Sequence, residues 1–142
     1  MTEPTTSPRP RQHRIAVFND SAPTLGTLAK WFEIHGYGVV TAQLSMMRQV
    51  FTSIERVVLS YRPAAVVFDL AMPYEANWDF CEVVRLMPAF AGVPIVLTTG
   101  NKVALEHLVG PTSALQIVGK RDDLNALLRA VGDAIVAGRR QR

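Results

Sequence analysis

Six polar side chains follow apolar runs at four separate places in this 142-residue chain. They are Asn19, Asp20, Asp69, Thr98, Thr99 and Lys120. Carboxylate oxygens are ligands that Mg²⁺ takes in proteins. A carboxylate can also be the nucleophile that becomes an aspartyl phosphate, with lysine and hydroxyl groups binding the phosphoryl oxygens as they gain charge. Brought together, these side chains could therefore support phosphoryl chemistry.

The stretch at 64–73, AAVVFDLAMP, shows how such a side chain is positioned. A short run that is apolar on both faces is typical of a buried strand in a parallel sheet. Asp69 ends the run, and so it is expected at the carboxyl edge of the sheet, where open α/β folds bind ligands.

Four more strands and five helices are predicted along the chain, in alternation. The other strands are His13–Phe18, Tyr37–Ala42, Pro94–Thr98 and Leu115–Val118. The helices follow Ser21 as far as Gly36, cover Ser45–Ser60, Trp78–Met87 and Lys102–Val109, and begin near Asp122, with a loop at Leu70–Asn77. Such alternation predicts a doubly wound α/β fold with a five-stranded parallel sheet. All the strand ends, and with them the six side chains, then lie on one edge.

Composition predicts one globular domain, since 49% of the residues are hydrophobic and 19% charged. We expect an unstructured tail at 1–12, the domain at 13–138 and a basic tail at 139–142. We expect a cytoplasmic protein with no membrane partner. The chain has a single cysteine, and it contains neither an apolar run long enough to span a bilayer nor a signal sequence. Much of the basic charge lies near the termini without a recognition pattern, so no specific nucleic-acid partner is expected.

Four sequence blocks resemble the receiver domain of two-component response regulators. They are Asn19-Asp20, DLAMP at 69–73, PIVLTTG at 94–100 and Lys120 within IVGKRDDLNALL. The resemblance covers about Arg14 to Ala137, and only a few residues follow the last helix, so a stand-alone receiver without an output module is expected. It implies a flavodoxin-like sheet in the order 2-1-3-4-5.

The resemblance also implies a phosphoacceptor and a metal site. Asp69 would accept a phosphoryl group from a sensor histidine kinase or a phosphotransfer protein. Mg²⁺ would be held by Asp20, Asp69 and the backbone carbonyl of Ala71, with Asn19 contributing weakly or through water. No enzymatic activity is expected beyond self-phosphotransfer and autodephosphorylation.

Two further roles follow from the same resemblance. Thr99, five residues after Pro94, matches the switch hydroxyl of the family, whereas Thr98 matches an apolar position before it. Lys120 would pair with the phosphoryl oxygens.

Several positions depart from the family pattern. Asn19 replaces a second acid, Ile117 an aromatic residue, Arg121 a proline and Asn77 a common glycine. The departures at Asn19, Ile117 and Arg121 favour an alternative, a pseudo-receiver that docks or dimerises without phosphorylation. Asn77, by contrast, tolerates a positive φ better than most residues. A third interpretation, a metal-dependent phosphatase, would want a carboxylate two residues after the nucleophile, where Ala71 stands.

Signalling would require a downstream protein partner, which the sequence does not identify. The family often uses the face formed by the fourth helix, the fifth strand and the fifth helix, which would also serve a homodimer. Candidate residues on this face are Lys102, Glu106, His107, Arg121 and Arg129.

Overall fold

A single parallel sheet forms the centre of the molecule in the computed structural model, which describes residues 13–47, 51–110, 116–120 and 123–140. The strands are β1 (Arg14–Asn19), β2 (Gly38–Gln43), β3 (Ala65–Leu70), β4 (Ile95–Thr99) and β5 (Gln116–Gly119). Their order across the sheet is β2-β1-β3-β4-β5, and every pairing is parallel. The predicted fold class, strand number and strand order are confirmed.

The helical segments alternate with the strands. They are α1 (Ala22–Ile34), α2 (Leu44–Met47), α3 (Phe51–Tyr61), α4 (Tyr74–Arg85), α5 (Lys102–Val109) and α6 (Leu124–Arg140), with a 3₁₀ turn at Pro88–Phe90. The second predicted helix corresponds to α2 and α3, which lie on either side of residues 48–50, outside the described residues. Helix α5 has the predicted bounds, and α1 begins after the predicted cap, since the Ser21 hydroxyl accepts a hydrogen bond from Thr24 N.

Helix α4 begins earlier than predicted. It starts at Tyr74 rather than Trp78, and Leu70 belongs to β3, so the loop predicted at Leu70–Asn77 is wrong at both ends. The prediction relied on the apolar pattern, but the inner face of the first turns is occupied by the polar residue Asn77. Asn77, Cys81 and Val84 are the buried residues of this helix, at the spacing of one helical face.

Helix α6 begins close to the predicted start near Asp122. The Asp123 carboxylate accepts a hydrogen bond from Ala126 N at 2.8 Å, so Asp123 caps the helix. Asp122, which was predicted to stand near this end, lies outside the described residues, as do 1–12. The helix continues to Arg140.

Two hydrophobic clusters cover the two faces of the sheet. Alternate strand residues such as Phe18, Phe68 and Leu97 pack against α3, α4 and α5, whereas Val67 and its neighbours pack against α1 and α6. Cys81 belongs to the first cluster, and burial raises the pKa of its thiol to about 12. The thiol is therefore protonated at neutral pH, as suits a core residue.

Candidate functional site

The Asp69 carboxylate is the centre of the site at the carboxyl edge of the sheet. Its Oδ1 accepts a hydrogen bond of 2.7 Å from the Thr98 hydroxyl, and its Oδ2 lies 3.3 Å from Lys120 Nζ. Asp69 is only 5% exposed, whereas the Lys120 side chain is 49% exposed. A carboxylate is costly to bury unless it is paired and hydrogen-bonded, and these two partners meet that requirement.

Strand register accounts for this arrangement. Asp69 on β3 is paired with Thr98 on β4, and Thr98 is paired with Val118 on β5. Paired residues of neighbouring strands project from the same face of a sheet, and residues two apart in one strand share a face. Lys120, two residues beyond Val118, is further tied to β4 because its backbone N–H donates to the Thr99 carbonyl at 2.7 Å.

Thr99 ends β4 at the same edge of the sheet, but its side chain does not share a face with Asp69. It is paired with Leu70, so its side chain is directed to the opposite face from Asp69, where it is fully buried. Its hydroxyl accepts a hydrogen bond from Asn101 N at 3.2 Å. The threonine beside the carboxylate is therefore Thr98, which the family resemblance matches to an apolar position.

The two residues predicted at the end of β1 have different surroundings. Asn19 is buried, and its Oδ1 accepts a hydrogen bond of 2.8 Å from Ser21 N. Phe18 on β1 is paired with Phe68 on β3, so the next residues along the two strands, Asn19 and Asp69, lie side by side in the sheet.

Asp20 is exposed, and its side chain contacts the backbone at the start of α2. Its Oδ1 accepts a hydrogen bond of 2.6 Å from Ser45 N, and its backbone carbonyl accepts one of 3.1 Å from Gln43 Nε2. The carboxylate thus satisfies a backbone N–H of the first helical turn, which is the usual function of a capping acid.

Asn77 is a site residue whose position the sequence prediction missed. Its side chain is buried on the inner face of α4, and Nδ2 donates a hydrogen bond of 2.6 Å to the Ala71 carbonyl. The available signal was its spacing, four residues before Cys81 and seven before Val84.

Hydrogen bonds of the protein engage three of the predicted Mg²⁺ ligands in the described arrangement. They are oxygens, as Mg²⁺ requires, but the Ala71 carbonyl, Asp20 Oδ1 and Asn19 Oδ1 each already accept a hydrogen bond from the protein. Among the residues that the structure describes, no group of three His, Cys, Asp or Glu side chains is placed to hold a metal.

A cleft of about 250 Å³ adjoins the site between α1 and α6. Thr98 and Lys120 line it together with the apolar side chains of Leu28, Val118 and Leu127. Since Lys120 is half exposed, a reagent can approach the partners of Asp69 from this side.

The fold is shared with solved receiver domains. A chemotaxis protein of Vibrio cholerae, CheY4, superposes with a TM-score of 0.65 at 20% identity, over 87% of this chain and 98% of that one. A response regulator receiver protein from Sinorhizobium medicae gives 0.67 at 20% identity, over 90% and 98%. A receiver domain protein from Clostridium thermocellum gives 0.67 at 19%, over 92% and 99%.

These similarities show the fold, which is the CheY-like receiver fold. No protein-family model and no curated protein matches the sequence. Within the described part of the chain, no helix is long and apolar enough to cross a membrane.

Proposed function

We propose that this protein is a phosphoacceptor receiver domain in a two-component phosphorelay. Asp69 takes a phosphoryl group from a phosphohistidine on a sensor histidine kinase or a phosphotransfer protein, and phosphorylation alters binding to another protein. The observation that supports the proposal is the buried Asp69 carboxylate held between the Thr98 hydroxyl at 2.7 Å and the Lys120 ammonium at 3.3 Å, on a receiver-type fold.

The proposed transfer uses the two partners of Asp69. A carboxylate oxygen attacks phosphorus, the P–N bond of the donor breaks, and the imidazole retains the bonding electrons and takes a proton from solvent. An acyl phosphate results. Lys120 and Thr98 then pair with phosphoryl oxygens instead of the carboxylate, because charge moves onto those oxygens during the transfer. Attack of water on phosphorus later releases phosphate and restores the carboxylate.

The structural change caused by phosphorylation would be transmitted to the partner surface through β5. Lys120 follows β5 directly, and its side chain would leave the Asp69 carboxylate for the phosphoryl group. The neighbouring helices α5 and α6 expose Lys102, Glu106, His107 and Arg129, and Arg121 of the predicted face lies outside the described residues. We propose this face for the downstream partner or for a second copy of the chain.

A second candidate is a docking module that acts without phosphorylation. The observation that favours it is that hydrogen bonds of the protein already engage the oxygens of Asn19, Asp20 and Ala71 that a metal would bind. Both candidates place the protein in two-component signalling, but only the first requires chemistry at Asp69.

The test between them is incubation of the purified protein with saturating acetyl phosphate in a buffer containing Mg²⁺, followed by intact-mass spectrometry. A phosphoacceptor receiver gains the mass of one phosphoryl group. A docking module gains none, even though its circular dichroism spectrum shows a folded protein.

Thr98 rather than Thr99 is expected to assist the transfer. Replacing Thr98 with valine keeps the shape and removes the hydroxyl that donates to Asp69. One such hydrogen bond contributes about 1 kcal/mol, so the phosphorylation rate should fall about fivefold. Thr99→Val is the matched control, because its hydroxyl contacts Asn101 instead. Equal rates for the two variants would show that the Thr98 contact has no part in the reaction.

A further inference from the structure

The Asn77 side chain is hydrogen-bonded to one of the oxygens that the predicted metal centre would use. Its amide nitrogen is 2.6 Å from the Ala71 carbonyl oxygen, one of the expected ligands of a divalent cation. The residue is 4% exposed, so packing in α4 holds the side chain in place, and exchange with water is restricted.

An amide N–H at this distance opposes a cation in two ways. The donor occupies one of the two lone pairs of the carbonyl oxygen, and its partial positive charge is directed to the same oxygen that a cation would approach. Binding an ion with this carbonyl would require the Asn77 amide to give up a short, buried hydrogen bond. A buried amide without a partner is unfavourable, so the ion must compensate for that loss.

We infer that Asn77 blocks the cation site of this chain, and that it sets a low affinity for divalent ions by holding the Ala71 carbonyl. The inference deepens the proposed function, since it concerns the control of the same site, but its test needs no phosphoryl transfer.

Removing the amide is expected to raise the affinity for a divalent cation about tenfold, the factor that corresponds to one buried hydrogen bond that the ion no longer has to break. The variants are Asn77→Ala and Asn77→Gly, which both lack the donor but differ in helix propensity. Mn²⁺ is the probe, because it binds the same oxygen ligands as Mg²⁺, and the decrease in the electron paramagnetic resonance signal of free Mn²⁺ measures binding. Circular dichroism confirms that each variant is folded.

Asn101→Ala is the matched control. Asn101 lies near the same edge of the sheet, and its Oδ1 accepts a hydrogen bond of 3.1 Å from Ala104 N. This hydrogen bond does not involve an oxygen predicted to bind the metal ion. A second control adds Asp20→Asn to Asn77→Ala and should remove the gained affinity if the ion occupies the predicted site.

Two outcomes would overturn the inference. One is equal Mn²⁺ affinity in the wild type and both Asn77 variants, whether all of them bind or none does. The other is a gain that survives Asp20→Asn, which would place the ion elsewhere. Because no phosphodonor is present, neither outcome depends on whether Asp69 accepts a phosphoryl group.

Discussion

An Asp69→Asn variant is expected to remain free of phosphoryl groups under conditions in which acetyl phosphate modifies the wild type. Asparagine keeps the shape of the side chain and can still accept from Thr98, but its neutral amide is not the nucleophile that forms an acyl phosphate. The loss should be complete, since no other described carboxylate has both a hydroxyl and an ammonium as partners. Intact-mass spectrometry over a time course measures it.

The matched control for this variant is Asp79→Asn. Asp79 is an exposed residue of α4, so its variant should gain one phosphoryl group at the wild-type rate. Phosphorylation of Asp69→Asn to the wild-type level would show that the acceptor is another residue.

A Lys120→Met variant is expected to accept the phosphoryl group about 10²–10³-fold more slowly, the scale of losing one preorganised donor to a developing negative charge. Methionine retains much of the apolar stem and removes the ammonium that lies 3.3 Å from Asp69 Oδ2. Because Asp69 is buried, losing the ammonium is expected to lower the free energy of unfolding, while the Thr98 hydrogen bond remains. The rate of adduct formation and a urea denaturation curve measure the two effects separately.

Lys102→Met provides the comparison for Lys120. Lys102 is exposed at the start of α5, so its removal changes the net charge equally. Similar rates for both methionine variants would mean that the ammonium acts only through overall charge, contrary to the proposed role.

Much of the fold could be predicted because its signals are local. Each buried strand is a short apolar run that ends in polar residues, and the alternation with helices restricts the sheet to parallel pairing. The contact between Asp69 and Lys120 follows from that topology, since both residues come at or just after strand ends on one edge.

The directions of the side chains at this edge could not be predicted from the sequence. β4 is buried on both faces, so its apolar pattern does not reveal which of Thr98 and Thr99 shares a face with Asp69. Only the register with β3 determines this, and register is a long-range property of the sheet.

Long-range hydrogen bonds account for the remaining differences. Asp20 accepts from Ser45, 25 residues away, and Asn77 reaches back to Ala71 from inside α4. Neither Ser45 nor Ala71 could be identified as a partner from sequence spacing alone. For Asp20, moreover, a capping acid and a metal ligand have the same residue type. The start of α4 was misplaced for a related reason, since its first buried residue is polar.

The central claim, that Asp69 is the phosphoacceptor, is tested most directly by borohydride reduction of the phosphorylated protein followed by tandem mass spectrometry of its peptides. Borohydride converts an aspartyl phosphate to homoserine, which marks the acceptor by its mass. The account predicts homoserine at position 69 and unmodified aspartate at positions 20 and 79. A phosphoryl group on histidine or serine, or homoserine at position 20, would contradict it.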